Sequence, residues 1–371
     1  MSTATRRAFL RRAANAVTGV LAAPAFLRVT SAQAATMDTK IGSMLMLGFY
    51  GDAPGFQSAK ALARHVRSGA AGGAVFLRHN ASSRKGVEAL TAMFRDAAGR
   101  GTPLLSIDQE GGKVQRLGTK QGYGDIPEAG RVPGRYTPER AADMYAAAAR
   151  ELRASGFNVN LAPTVDLHDP SNPVIGKYER AYGTDPAVVA KYGAAFIQGM
   201  AREGVACCAK HFPGHGTSRG DSHDGFVDIT RTWGQGEIEP FRALARVAPM
   251  VMGGHLVHDT LTGGEPVTFS EPILEGVLRE QLGFTGAIMT DDLDMGAIRN
   301  RYSMEDAVVR SVEAGNDIVL ISNSAKPDDD LAPKAVRWVA QAVKDGRIPM
   351  SRIDAAAARV EAVKRGVLAR A

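Results

Sequence analysis

Eight short apolar runs, recurring along most of the chain, constrain its fold more than any other feature. They fall at 44–49, 74–77, 104–107, 157–162, 205–209, 250–253, 287–290 and 318–321. None alternates with polar residues for long, which is how strands covered on both faces read. Helix-like stretches lie between several of them, at 138–154, 186–202, 271–281 and 304–314, and closing helices are expected at 336–344 and 351–368. Start signals stand at Thr137-Pro138, Asp185-Pro186, Ser270-Glu271-Pro272 and Ser303 with Asp306 three residues on. This alternation predicts an α/β fold, a (β/α)8 TIM-type barrel forming a single domain. An open doubly wound sheet is the alternative that strand counting leaves standing.

Polar residues cluster where the runs end. Asp108 follows the third, Asp166 lies past the fourth, Lys210 and His211 end the fifth, His255 follows the sixth, Asp291 ends the seventh and Asn323 follows the eighth. In a barrel these positions converge on the carboxyl-end mouth, where barrel active sites lie.

The N-terminus sets a boundary. Thr5-Arg6-Arg7-Ala8-Phe9-Leu10, a weakly apolar stretch over 13–27 and Ala32-Gln33-Ala34 read as a twin-arginine export signal peptide over 1–34, with the catalytic domain at 35–371. The apolar stretch is too short and too interrupted for a permanent membrane span. The expected localisation is export to the periplasm. Five arginines and no acid in this leader account for most of the net charge of +6, so the body is close to neutral and offers no nucleic-acid surface. The only two cysteines, Cys207 and Cys208, are adjacent and read as small buried residues.

The densest polar segment is Lys210-His211-Phe212-Pro213-Gly214-His215-Gly216 with Asp221-Ser222-His223. A metal is one reading, but no histidine pair shares a helix face around an acid, and Lys210 would place a cation beside the ion. A phosphate site is another, but Gly111-Gly112 and Gly214-x-Gly216 match neither a P-loop nor a dinucleotide fingerprint. Sugar chemistry fits best. Retaining glycoside hydrolysis needs a carboxylate nucleophile and a group that first gives and later takes a proton. Asp291, in Thr290-Asp291-Asp292, suits the first role. His223, with Asp221 two residues earlier to orient its ring, suits the second. Loop glycines would let that pair swing over a bound sugar. Asp292 is the rival nucleophile, but on a strand its side chain would face away from that of Asp291.

Ile107-Asp108-Gln109-Glu110-Gly111-Gly112-Lys113-Val114-Gln115-Arg116, the Lys210–Gly216 and Asp221-Ser222-His223 segments, and Thr290-Asp291-Asp292-Leu293-x-Met295 together resemble the β-N-acetylglucosaminidases of glycoside hydrolase family 3. The resemblance implies Asp291 as nucleophile, His223 as general acid/base and Asp221 as its partner. It implies that Asp108, Arg116, Arg180, Lys210 and His211 hold the hydroxyls and N-acetyl group of the terminal sugar. Near Arg180 the chain departs from the family: two extra residues separate Gly176 from Arg180 in Val174-Ile175-Gly176-Lys177-Tyr178-Glu179-Arg180. Lys113 replaces a more usual arginine, and His255 is expected behind the residues that touch sugar. The C-terminal α/β domain of larger members is expected to be absent, so the proton donor should come from the barrel loop.

The expected activity is that of an exported, retaining exo-β-N-acetylhexosaminidase, acting on peptidoglycan fragments or chitooligosaccharides with terminal N-acetylglucosamine. No cofactor and no metal are expected, nor any partner other than the carbohydrate, the chain being a monomer. The alternatives are a β-glucosidase, a phosphorylase, or an inactive sugar-binding protein.

Overall fold

The strands of the main sheet are short and mostly apolar, and each pairs in parallel with a neighbour on either side. The structure, a computed structural model, describes residues 35–222 and 224–368. The expected leader at 1–34 and the expected proton donor His223 therefore lie outside the described residues. From Thr36 onward the chain forms one unit. Its strands are β1 (Leu45–Leu47), β2 (Gly73–Phe76), β3 (Leu104–Ile107), β4 (Val159–Asn160), β5 (Ala206–Phe212), β6 (Met250–Gly253), β7 (Ala287–Thr290) and β8 (Val319–Ile321). They pair in chain order, and β1 also pairs with β8, Leu45 lying opposite Val319. A bridge between Met289 and Ile318 joins β7 to β8 and completes the circle. The sheet is thus a closed (β/α)8 barrel, and closure excludes the open doubly wound alternative.

The unbroken apolar runs now have a cause. Within β1, Met46 faces the barrel interior while Leu45 and Leu47 face the helices. In β5 Cys208 points inward and Cys207 outward; both thiols are buried and free. Burial raises both well above the ordinary thiol range, so they stay protonated and act as small apolar residues. The interior is rich in methionine, with Met46, Met250, Met252 and Met289 filling an irregular space that flexible side chains suit.

Three of the four start signals work as expected. Thr137, Asp185 and Ser303 each accept a backbone N–H at the head of helices Pro138–Ala154, Pro186–Arg202 and Met304–Glu313. Ser270 does not: its Oγ is buried without a hydrogen-bond partner, and the wide helix Pro272–Gln281 begins after Glu271. Helices Gln57–Ser68 and Arg84–Ala98 were not anticipated. The first begins at Phe56, which offers no capping side chain. No helix among the described residues is long and apolar enough to cross a membrane.

At the amino end of β8, Asp317 is fully buried and gathers three arginines. Arg279 pairs with Oδ2, while Arg352 and Arg359 reach Oδ1 at 3.0 and 3.1 Å; Ile288 N–H donates to Oδ2 at 2.9 Å. This face of a barrel serves stability rather than chemistry. Asp317→Ala is expected to lower unfolding stability by roughly 3–5 kcal/mol, since it leaves buried cations unpaired. Urea unfolding would measure the loss, and kcat of the folded fraction should be unchanged.

Candidate active site

At the opposite end, the carboxyl ends of the strands open into a cavity floored by Val75, Leu77, Leu161, Met252 and Leu320. Around this apolar floor stand Asp108, Glu110, Arg116, Arg180, Lys210, His211, His215, Asp221, Asp291 and Asp292. Each arrives by an identifiable route. Asp108 follows β3, and the chain then folds into an antiparallel ribbon, Gln109–Gly111 with Val114–Gln115, that carries Glu110 and Arg116 over the mouth. Gln109 fixes the ribbon: its side chain accepts from Arg116 and Leu117 N–H and donates to Leu117 O, and Asn160 clamps its backbone. The two extra residues before Arg180 are absorbed by a 3-10 turn, Gly176–Tyr178, and by Glu179 in a left-handed conformation. Arg180 is thereby delivered to the mouth.

The charged residues form one network. Lys210 Nζ lies 2.8 Å from both Asp108 Oδ1 and Glu110 Oε1. Arg180 grips Glu110 through two bonds of 2.8 Å, and Arg116 reaches Asp108 at 3.2 Å. Burial pushes the Asp108 carboxyl up, but Lys210 and Arg116 outweigh it and hold it below its ordinary value. Burial likewise opposes ionisation of Glu110, and Arg180 and Lys210 overcome it, leaving the carboxyl far below the carboxylate range. Glu110 is a site residue that sequence reasoning quoted but did not single out. Its spacing from Asp108, two residues along an extended segment, was the signal.

A second group centres on His211. Asp166, fully buried, accepts His211 N–H and His215 N–H through Oδ1, and its Oδ2 lies 2.7 Å from His211 Nδ1. Asp166 therefore stands behind the mouth rather than in it, fixing the His211 ring so that Nε2 remains for a ligand. Burial pushes Asp166 up, and His211 more than reverses that. His215 is held down to about 4, first by burial and then by His211, so it is neutral, with Nδ1 2.6 Å from Ser218 Oγ. Asn323 does not join the mouth; in a left-handed conformation it exchanges bonds with Asp328 and shapes the loop after β8.

Asp291 and Asp292 lie just beyond β7, where strand alternation no longer applies, and both line the cavity. The expectation that only one could face the mouth is thus corrected; their partners distinguish them. Asp292 accepts Ser322 N–H and Asp294 N–H through Oδ1, and burial pushes its carboxyl up to about 6. Among the described residues, Asp291 accepts the neighbouring Asp292 N–H. Burial raises it too, but His255 and His211 outweigh that and keep it below its ordinary value. Its carboxyl is thus held toward the charged form. His255 is fully buried and donates Nε2–H to Asp292 O at 2.9 Å, which places it beneath the pair.

The loop after β5 brings Asp221 and Ser222 to the cavity wall, and Ser222 O accepts Ala297 N–H. Gly214 and Gly216, at the base of this loop, stand where no side chain would fit. A side chain on Gly214 would strike Glu237 at 2.5 Å, and one on Gly216 would strike Leu167 O at 2.1 Å. They permit close packing at the base of the loop. Among the described residues no three His, Cys, Asp or Glu side chains gather as a metal-ligand set.

The sequence matches the glycosyl hydrolase family 3 N terminal domain over residues 36–363. It is 37% identical over 280 residues to beta-hexosaminidase LpqI of Mycobacterium tuberculosis, covering 72% of this chain and 70% of that protein. To the beta-hexosaminidase of Xylella fastidiosa (strain M23) it is 36% identical over 304 residues, covering 79% and 88%. Among solved structures, a glycoside hydrolase family 3 beta-N-acetylglucosaminidase from Paenibacillus sp. str. FPU-7 is similar with a TM-score of 0.81 at 34% identity. The similarity covers 91% of this chain and 64% of that longer one.

Proposed function

The chain belongs to glycosyl hydrolase family 3, and from that premise we propose that it is a retaining exo-β-N-acetylhexosaminidase that removes terminal N-acetylglucosamine. The observation that carries the reading is the pairing of an ionised Asp291 with a loop that brings Asp221 to the same cavity. In this mechanism Asp291 attacks the anomeric carbon and the leaving oxygen takes a proton from His223, oriented by Asp221. A glycosyl ester on Asp291 results. Water then attacks the anomeric carbon and gives a proton to His223, the bond to the Asp291 oxygen breaks to free the carboxylate, and the sugar leaves with its original anomeric configuration. Asp108, Arg116, Arg180, Lys210 and His211 hold the sugar's hydroxyls and N-acetyl group. The charged network supports this role, since paired donors and acceptors fixed around an apolar floor match a polyhydroxylated ring.

The substrates proposed are peptidoglycan fragments or chitooligosaccharides, met in the periplasm after export through the twin-arginine leader. The first assay is release of aryl leaving groups from the β-N-acetylglucosaminide and the matching glucoside. A preference for the glucoside would sink the reading, and sugar 1-phosphate as main product in phosphate buffer would replace hydrolysis by phosphorolysis.

His223→Ala separates the steps. It should lower kcat/KM for an N-acetylglucosamine disaccharide on the order of 10²- to 10⁴-fold, because that leaving group needs a proton. The dinitrophenyl glycoside, whose leaving group needs none, should lose far less. Equal losses on the two substrates would remove His223 from the role.

A further inference from the structure

Glu237 carries a buried carboxyl group that the mechanism above does not use. It sits in the 3-10 turn Gln235–Ile238, away from the mouth, and is 1% exposed. Its two oxygens are divided between two loops. Oε1 accepts Thr217 N–H at 2.7 Å, and Oε2 accepts Leu167 N–H at 3.3 Å. Thr217 belongs to the loop after β5, which leads within four residues to Asp221. Leu167 follows Asp166, which orients His211.

The surroundings show that this contact is built. Gly214 has a positive φ of 121° and lies against the Glu237 side chain so closely that any Cβ would fall 2.6 Å from Oε2. Gly216 packs on the Leu167 backbone with the same tightness. Trp233, four residues before Glu237, donates Nε1–H to Pro213 O at 3.1 Å. Asn172 donates to the carbonyls of His215 and Ser218 at 2.7 and 3.2 Å. The first half of the loop, 213–218, is therefore held from several sides, and Glu237 adds a contact from a third segment that takes one N–H from each loop; burial and then Asp166 push its carboxyl up to about 7.

We propose that Glu237 is a positioning residue for proton transfer, fixing the base of the loop after β5 so that its Asp221 end stands over the cavity. This rests on the reading of Asp221 and His223 as the proton-transfer pair. Glu237 touches no substrate. Its effect reaches the reaction through the angle at which the loop leaves Thr217, and small displacements of a proton donor are enough to slow a reaction.

The test compares Glu237→Ala, which removes both acceptors, with Glu237→Gln, which restores one. In Glu237→Ala, kcat/KM for an N-acetylglucosamine disaccharide should fall roughly 10- to 100-fold, while the dinitrophenyl glycoside stays within about 3-fold of wild type. Glu237→Gln should recover part of the loss. Backbone amide exchange over 214–222 should quicken in the same order. Equal losses on both substrates, or none on either, would overturn the proposal, because a merely structural residue does not distinguish leaving groups. Unchanged exchange at Thr217 would overturn it as well. If Glu237→Ala does not fold, Glu237→Gln against wild type decides by the same two readouts. If the wild type cleaves neither substrate, the proposed activity fails by itself, and exchange at Thr217 still decides whether Glu237 anchors the loop.

Discussion

Asp291→Asn should lower kcat for every glycoside substrate by on the order of 10⁴-fold, since no covalent intermediate can form without the carboxylate. Stability should move by less than about 1 kcal/mol, because the amide oxygen can still accept Asp292 N–H. The contrast is Asp292. Its Oδ1 holds the backbone of Ser322 and Asp294, so Asp292→Ala leaves two N–H groups without an acceptor. That substitution should cost about 1–3 kcal/mol in unfolding stability for each unsatisfied group and leave most of kcat in the folded fraction. Steady-state rates and urea unfolding of the two variants read the four numbers. A dead Asp292→Ala that is as stable as wild type, beside an active Asp291→Asn, would exchange the two roles.

Lys210→Met should do what neither of those variants does, damaging fold and turnover together. Lys210 is buried between Asp108 and Glu110, and removing its ammonium leaves two carboxylates facing each other in a low dielectric. Removing one partner from such a cluster is expected to cost roughly 3–5 kcal/mol at neutral pH. The dependence on pH has a definite sign. Asp108 and Glu110 are depressed in the folded protein, so their stabilisation is present above the ordinary carboxylate values and is lost only as pH falls through their lower folded values. Lys210 is raised despite burial, by Asp108 and Glu110, so its stabilisation is present below its ordinary value of 10.5 and is lost as pH rises through the folded one. The wild-type cluster is therefore fully charged across the neutral range. In Lys210→Met the two carboxyls lose their shared cation and take up protons more readily. The deficit should shrink as pH is lowered from 7 toward 5, measured as the difference in unfolding free energy from wild type. A deficit that stays constant with pH would show that lost packing, not charge, sets the cost.

The strands were readable because burial on both faces leaves a sequence trace that needs no partner to interpret. Leu104–Ile107, Met250–Gly253 and Ala287–Thr290 appear in the structure with the boundaries the apolar runs suggested. Capping side chains marked some helix starts, at Thr137, Asp185 and Ser303, but Ser83 caps Arg84–Ala98 in the same way and that helix went unread. At Gln57–Ser68 the uncapped start left amphipathic spacing as the sole clue. In the site, residues that end a strand were legible by position. Those whose work is to hold other residues were not. Asp166 was visible as an acid near a strand end, yet nothing local says that it turns toward His211 rather than into the mouth. Glu237 lies seventy residues from one of its two partners and twenty from the other, and such pairings exist only once the barrel has brought the loops together.

The cluster on Asp317 also bears on how the chain is made. Two of its three arginines, Arg352 and Arg359, sit in the last helix, Met350–Leu368, and that helix also meets the helix Met37–Ser43 through the ion pair of Lys40 with Asp354. Synthesis runs from the other end, so a nascent chain has produced all eight strands before these side chains leave the ribosome. Until then β1 and β8, more than 270 residues apart, must find each other without the helix that fastens their surroundings, a distant pairing of the kind that folds slowly. A chain halted before Met350 would carry every residue that lines the mouth but lack two of the three arginines that pair with Asp317.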